Sequence, residues 1–477
     1  MRSMRPQFQR LDALALPRRS LAHTRRLVHS SSRRDVSALT SSPNLVSSPP
    51  ATTPKNAAPS KSSPLTLSRL PTASVLRSYM IMRMSSSPAL LSVCFSILRR
   101  MLNSKSQFMS IERNPAIRKL LKGTFYKQFC AGETKEEVQL NTTAARELLG
   151  YDGIMLEYAL EVLKGGARPT AEEIEREIEA WKKGILASID VAKEGDFIGM
   201  KWSGLGREAL RLLQAGLPPS ASMYSAITSA CDAAAAKNVV LLPGAEEEAT
   251  NPGLDKWTLE LSKKYNTPER GRAIVYVTYQ CYLKGIGQRL SAHLALAQRE
   301  NFIAGLKLVR GAYLSSEPRS LICDTKADTD SNYDSCASAA LTRTYNAVVP
   351  PAAPDTPFPA VNIILATHNL ASVHKAQAIR EQQLLTHAPE ALPKLAFAQL
   401  QGMADEISQQ LVQDARDKAD TQARVVKCMT WGTTTECLNF LLRRASENKE
   451  AAMRTEDTRR AMGRELGRRV RGVFGFA

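Results

Sequence analysis

Two adjacent arginines, Arg443 and Arg444, are the side chains best suited to binding chemistry in this sequence. A guanidinium pair can hold a carboxylate through charge-assisted, two-pronged hydrogen bonds that lysine does not reproduce. Lys307 and Arg310 are cations at the end of an apolar run, fit to hold a phosphate or polarise a cofactor. Gly311 and Ala312 follow at once and remove side-chain bulk where a flat ring can approach. Lys201, Tyr313, Thr367, His368 and Gln399 stand at or just past the ends of other short apolar runs. Each signal alone has a plainer reading. An arginine pair also marks a solvated helix face, a lone histidine is usually a satisfied polar group, and a tyrosine after Gly-Ala packs as often as it reacts. The 6 histidines and 8 cysteines form no HExxH or CxxC spacing, so no metal site is expected.

The elements that must position these residues are short, near-continuous apolar runs: 197–202, 239–242, 273–278, 305–309, 362–366, 395–400 and 425–430. Runs apolar on both faces are what buried parallel strands require. Helix-like stretches separate them, which predicts repeated βαβ units. Seven units in this length suit an α/β, TIM-like (β/α)8 barrel, with an eighth strand that the pattern does not locate. No G-x-G-x-x-G follows a strand, against a Rossmann domain. A parallel barrel carries its catalytic groups at the C-terminal ends of its strands, which gathers the residues above around one mouth. The helix over about 436–448 carries both arginines, with Glu447 one turn on and Leu438, Leu441, Leu442 and Ala445 on its apolar side. Residues 111–190 read as helical. Thr170 and Glu173 form a capping-box pattern, and Ile174, Ile178, Trp181 and Ile185 make one apolar stripe.

Charge divides the 477-residue chain unevenly. Residues 1–100 hold 16 basic and 2 acidic residues, and the remainder 48 and 44. The body is therefore close to balanced, and no nucleic-acid partner is expected. Residues 1–34 contain nine arginines, no lysine and one acid, the composition of a mitochondrial transit peptide. Ser and Pro dominate residues 40–75. The apolar stretch Met84–Leu98 is 15 residues long and interrupted at Pro88, whereas a membrane-spanning helix needs about 20. A docking or surface-lying helix is expected instead. The predicted organisation is a disordered basic leader and transit peptide over 1–40, a linker with a short apolar segment over 41–110, an N-terminal helical arm over 111–195 and the barrel over 196–477.

Read as a set, several segments point further. Phe125–Glu133 (FYKQFCAGE), Thr278–Lys284 (TYQCYLK), Lys307–Leu314 (KLVRGAYL), Ala366–Asn369 (ATHN), Gln401–Met403 and Leu441–Asn448 (LLRRASEN) occur in one order. In that order they resemble mitochondrial proline dehydrogenases of the fungal type, over roughly residues 110–460. The resemblance implies a distorted (β/α)8 barrel that binds FAD non-covalently and oxidises L-proline to Δ1-pyrroline-5-carboxylate by hydride transfer to flavin N5. Electrons would pass to a membrane quinone, with peripheral association on the matrix side of the mitochondrial inner membrane. It further implies that Arg443 and Arg444 grip the proline carboxylate, that Tyr313 and Leu400 wall its ring, and that Lys201 lies at the base of the site. Lys307, Val309, Arg310, Gly311, Ala312, Thr367 and His368 would hold the flavin, with Glu447 an acid near it.

Three positions depart from the family's pattern. Gly244 stands where the family has an aspartate, which would leave Lys201 without a carboxylate and let burial lower its pKa. Val277 replaces an amide expected to bond the flavin, and Cys428 replaces a substrate-facing tyrosine. A divergent flavin-binding relative of low activity, or an oxidase of another cyclic amino acid such as hydroxyproline, are the alternative readings.

Overall fold

Eight strands run parallel: β1 (Gly153–Tyr158), β2 (Phe197–Met200), β3 (Val240–Pro243), β4 (Tyr276–Gln280), β5 (Ala304–Val309), β6 (Val361–Ala366), β7 (Lys394–Leu400) and β8 (Ala423–Trp431). They belong to a computed structural model that describes residues 66–159, 168–417, 423–447 and 456–475. The sheet order is β3-β2-β1-β8-β7-β6-β5-β4. The two ends of that order meet only at a bridge between Leu241 and Val275 and where Thr278 Oγ1 donates to Pro243 O at 2.7 Å. Proline lacks the N–H that a full ladder would use. The result is the distorted eightfold barrel expected from the sequence, with a seam between β3 and β4.

The missing eighth strand is β1, inside the block expected to be a helical arm. The barrel therefore begins at Gly153 and not at residue 196, a correction to the expected boundary. Met155, Leu156 and Glu157 are good helix formers, and only pairing with both β2 and β8 makes the segment a strand. The predicted capping box opens the helix Ala171–Val191, which is a barrel helix. The transit-peptide segment and residues 41–65 of the linker lie outside the described residues.

Period-two alternation sorts each strand into two faces. Met155, Phe197, Val240, Leu242, Tyr276, Ile364, Ala396, Ala398 and Val426 form the core inside the barrel. Ile154, Leu156, Ile198, Leu241, Leu306, Leu308, Ile363 and Val425 face the surrounding helices. Fully burying side chains of this kind contributes about 1.5–3 kcal/mol each. The inward parity then fixes which residues reach the mouth: Glu157, Gly199, Lys201, Gly244, Lys307, Val309, Ala366, His368, Leu400 and Cys428.

Two further helices matter here. The arginine helix, α1 (Thr434–Glu447), follows β8. Ahead of the barrel, helices Thr72–Ser85 and Pro88–Asn103 meet at 104°, where Ser86 and Ser87 break the apolar stretch and Pro88 starts the second helix. Among the described residues, no single helix is long and apolar enough to cross a bilayer.

Candidate active site

Lys201, one residue past β2, donates to Glu246 Oε2 at 3.0 Å and to the Tyr313 hydroxyl at 2.6 Å. Tyr313 in turn donates to Glu246 Oε2 at 3.1 Å, and Ser203 Oγ donates to Oε1 at 2.5 Å. The loop that carries Glu246 is fixed from both sides. Its backbone N–H donates to Asn251 Oδ1, and its carbonyl accepts from Gln280 Nε2. Gln280 then accepts from the backbone of Ala312, which ties the loops after β3, β4 and β5 together.

The expectation that Lys201 lacks a carboxylate is thus corrected. Gly244 removes one acid, and Glu246, two residues on, supplies another. Burial pulls the Lys201 ammonium down, but Glu246 and Tyr313 outweigh it and the opposing charge of Arg444, so the pKa lies above the ordinary lysine value. Lys201 is therefore a charged group. Burial pushes the Tyr313 phenol up, against the pull of Lys201, so it stays protonated.

Phe440 lines one cavity with Glu157, Gly199 and Lys201, and the Arg444 guanidinium lies over the Phe440 ring, which brings it to the same mouth; its charge opposes that of Lys201. The helix that carries it is amphipathic on two sides. Cys437, Phe440 and Leu441 pack with Tyr126, Cys130 and Ala159, and Arg444 continues that stripe 5.8 Å from the Phe440 ring centroid. Leu438 and Leu442 face away, onto the helix Pro88–Asn103. Arg443 precedes Arg444 by one residue, about 100° around the helix, and is half-buried. The side chain of Glu447 lies outside the described residues.

The segment Phe125–Glu133 holds this helix in place. Glu133 Oε1 accepts from the backbone N–H and the hydroxyl of Thr434, at 2.8 and 2.7 Å, and so caps the helix N-terminus. Burial opposes the Glu133 charge, but Lys122, Thr434 and Arg118 outweigh it and hold its pKa down at about 2. Tyr126 donates to Gly432 O at 2.8 Å and Gln128 to Gly402 O at 3.0 Å, so the same segment straps the loops after β8 and β7.

The expected flavin residues divide into two groups. Lys307 and Val309 face the barrel interior from β5 and are half-buried. Lys307 has no ion-pair or hydrogen-bond partner among the described residues, and Cys428 feels its charge. His368 stands on the mouth, where its Nε2 accepts from the backbone N–H of Leu400 and is therefore unprotonated. Leu400 is 48% exposed, an apolar wall open to the mouth.

Arg310 and Thr367 lie on the outward parity. Arg310 donates to Asp330 at 2.7 Å, to Thr367 at 2.6 Å and to Ser372 at 2.9 Å, with its guanidinium 4.5 Å from the Tyr333 ring centroid. Gln399 is buried nearby, bonded to Thr367 O and Ser408, and so does not open onto the mouth. Gly311 has φ +146°, and an added Cβ would come within 2.1 Å of the Tyr282 ring. Its missing side chain accommodates that ring, a close approach within the protein.

Two departures also resolve. Val277 points outward into the helix-facing core, and the amide near the interior is Gln280. Cys428 does face the interior, where it is half-buried. Burial pushes its thiol up to about 12, helped by Glu157. Glu133 ends the segment Phe125–Glu133 and Glu246 lies two residues past Gly244, yet neither position in sequence shows the role of its carboxylate. Only the fold shows which strand end or helix end each one meets.

Residues 142–457 match the family model described as proline dehydrogenase. A probable mitochondrial proline dehydrogenase of Schizosaccharomyces pombe is 34% identical over 245 residues, 50% of this chain and 48% of that protein. Proline dehydrogenase 2, mitochondrial, of Arabidopsis thaliana is 28% identical over 420 residues, 78% of this chain and 83% of that protein. Among solved structures, proline utilization A of Bdellovibrio bacteriovorus, inactivated by N-propargylglycine, superposes with a TM-score of 0.56 at 17% identity. That match covers 80% of this chain and 41% of that one, and shares the barrel fold. With two thirds of its length under the family model, and the Lys201, Tyr313 and Arg444 side chains at one barrel mouth, the chain belongs to the proline dehydrogenase family.

Proposed function

We propose that this protein oxidises L-proline to Δ1-pyrroline-5-carboxylate in the mitochondrion, with FAD as its cofactor. A membrane quinone on the matrix side of the inner membrane would take up the electrons. The observation that carries this reading is the cavity at the C-terminal ends of the strands lined by Lys201 and Phe440, with Arg444 over the Phe440 ring and Tyr313 bonded to Lys201. FAD, when bound, supplies the two-electron acceptor that the side chains lack. The donor set suits it. Lys307 is a half-buried cation without a partner among the described residues, the condition of a group awaiting an electron-rich ligand. Gly199, Ala366, Ala398 and Cys428 are small on the inner faces of their strands. His368 offers a neutral imidazole at the rim. Arg310 and Thr367 would support the cofactor side of the mouth from behind.

The chain's own residues do the rest. Arg443 and Arg444 hold the substrate carboxylate, and Tyr313 and Leu400 bound the ring between them. Positioning of this kind contributes several kcal/mol to the barrier reduction, out of a ceiling of about 7–11 kcal/mol. Lys201 is kept charged by Glu246 and adds to the positive field that fixes the carboxylate. The Tyr313 hydroxyl and Glu246 form a short relay along which a proton from the substrate amine can leave. The experiment is a spectrum of the purified full chain. It should be yellow and bleach anaerobically on L-proline; a colourless protein, or a yellow one indifferent to proline, contradicts the proposal.

Cys428 favours a second reading. A small thiol on the interior wall leaves room that a tyrosine would fill, so a hydroxylated ring would be less strongly rejected. The ratio of kcat/KM for L-proline to that for hydroxyproline, in the wild type and in Cys428→Tyr, tests it. An unchanged ratio rules this second reading out.

A further inference from the structure

We infer that the helix Pro88–Asn103 is an in-plane membrane anchor whose partner is an anionic phospholipid surface. This deepens the proposed use of a bilayer-resident acceptor by naming the face that meets the bilayer. The helix is apolar on two neighbouring faces. One side is covered: Leu91 and Leu98 are buried, and the latter packs with Leu438 and Leu442 of the arginine helix. The other side is bare. Leu90, Val93 and Ile97 recur at i, i+3 and i+7 and are 54, 56 and 46% exposed, and Phe108 just beyond the helix is 83% exposed.

Charge argues for the occupant. Residues 83–119 hold seven basic side chains and one acid, and Arg99 and Arg100 are exposed at the end of the apolar stripe. An apolar stripe edged by arginines fits the boundary between headgroups and acyl chains. Geometry argues for lying over crossing. Sixteen residues extend only ~24 Å, short of the ~30 Å hydrocarbon core, and protein already covers one side. A surface-seated helix would thereby hold the back of α1, the helix of Arg443 and Arg444, against the bilayer.

The test uses the full chain carrying Val93→Trp. The native tryptophans 181, 202, 257 and 431 are buried in and around the barrel, so the added indole reports locally. Phosphatidylcholine vesicles, with and without phosphatidylglycerol, carry brominated acyl chains that quench a tryptophan inserted among them. The emission should shift to the blue and be quenched on anionic vesicles. Arg99→Glu with Arg100→Glu should weaken binding by roughly tenfold or more. Vesicle binding with the indole still unquenched overturns the assignment, because the residues upstream would then be the anchor. A blue shift that rises with protein concentration alone, with a dimer in sedimentation, also overturns it and makes the face a self-interface. Proline oxidation with a soluble dye is read in parallel. Quenching without oxidation leaves the surface standing and removes the activity, and oxidation without quenching does the reverse.

Discussion

Lys201 and Glu246 meet at 3.0 Å across the gap left by Gly244, and Tyr313 bridges them through its hydroxyl. A lysine 18% exposed and an acid 8% exposed form a pair in which each charge depends on the other. An isolated Lys201 would be pushed by burial and by Arg444 towards its neutral form.

Replacing Glu246 with glutamine therefore removes the group that keeps Lys201 charged. The Lys201 pKa should fall, and the alkaline limb of the proline kcat/KM profile should move to lower pH. The loss at neutral pH should be about 1–3 kcal/mol, or roughly 5- to 150-fold. Cofactor content, read by absorbance, should not change. An unshifted profile would mean that the pair is only structural.

Glu133 should set acid stability. Its carboxylate is more acidic in the folded chain, about 2 against an ordinary 4.5, so its contribution is present above about 4.5 and is lost as pH falls towards 2. Glu133→Gln should cost about 1–2 kcal/mol at pH 7 in urea unfolding. The gap between wild type and variant should close below pH 4. A gap that persists at low pH would assign the loss to packing.

Gly311→Ala forces a positive-φ position and drives a Cβ into the Tyr282 ring at 2.1 Å. The cost should exceed about 2 kcal/mol, measured as a lowered denaturation midpoint. Gly244→Ala meets only Met200 O at 3.4 Å and the Lys201 side chain at 3.7 Å, ordinary contact distances. It should stay within about 1 kcal/mol. Equal losses at the two glycines would refute the distinction.

Much of this was legible in sequence because runs apolar on both faces, such as Ile363–Ala366, mark a buried parallel strand without knowledge of its neighbours. Gly153–Tyr158 was not, since Met-Leu-Glu favours helix and only its two neighbouring strands decide. The site divided along the same line. Lys201, Tyr313 and Arg444 could be named from motif and position, whereas the inward or outward parity of Lys307 and Arg310 needs strand register. Glu246 as the partner of Lys201 and Glu133 as the cap of a helix 301 residues away are long-range pairings. No local pattern encodes them.

In the proposed mechanism the arginine helix presents a carboxylate clamp to the mouth. The measurement that tests it most directly is anaerobic bleaching of the bound flavin by L-proline, in the wild type and in Arg443→Ala, Arg444→Ala and Arg444→Lys. The wild type should bleach, and both alanine variants should keep their flavin and lose bleaching at proline concentrations that saturate the wild type. Arg444→Lys should recover it only in part, because an ammonium does not reproduce the two-pronged grip. Alanine variants that bleach like the wild type, or that lose their flavin, would contradict the clamp.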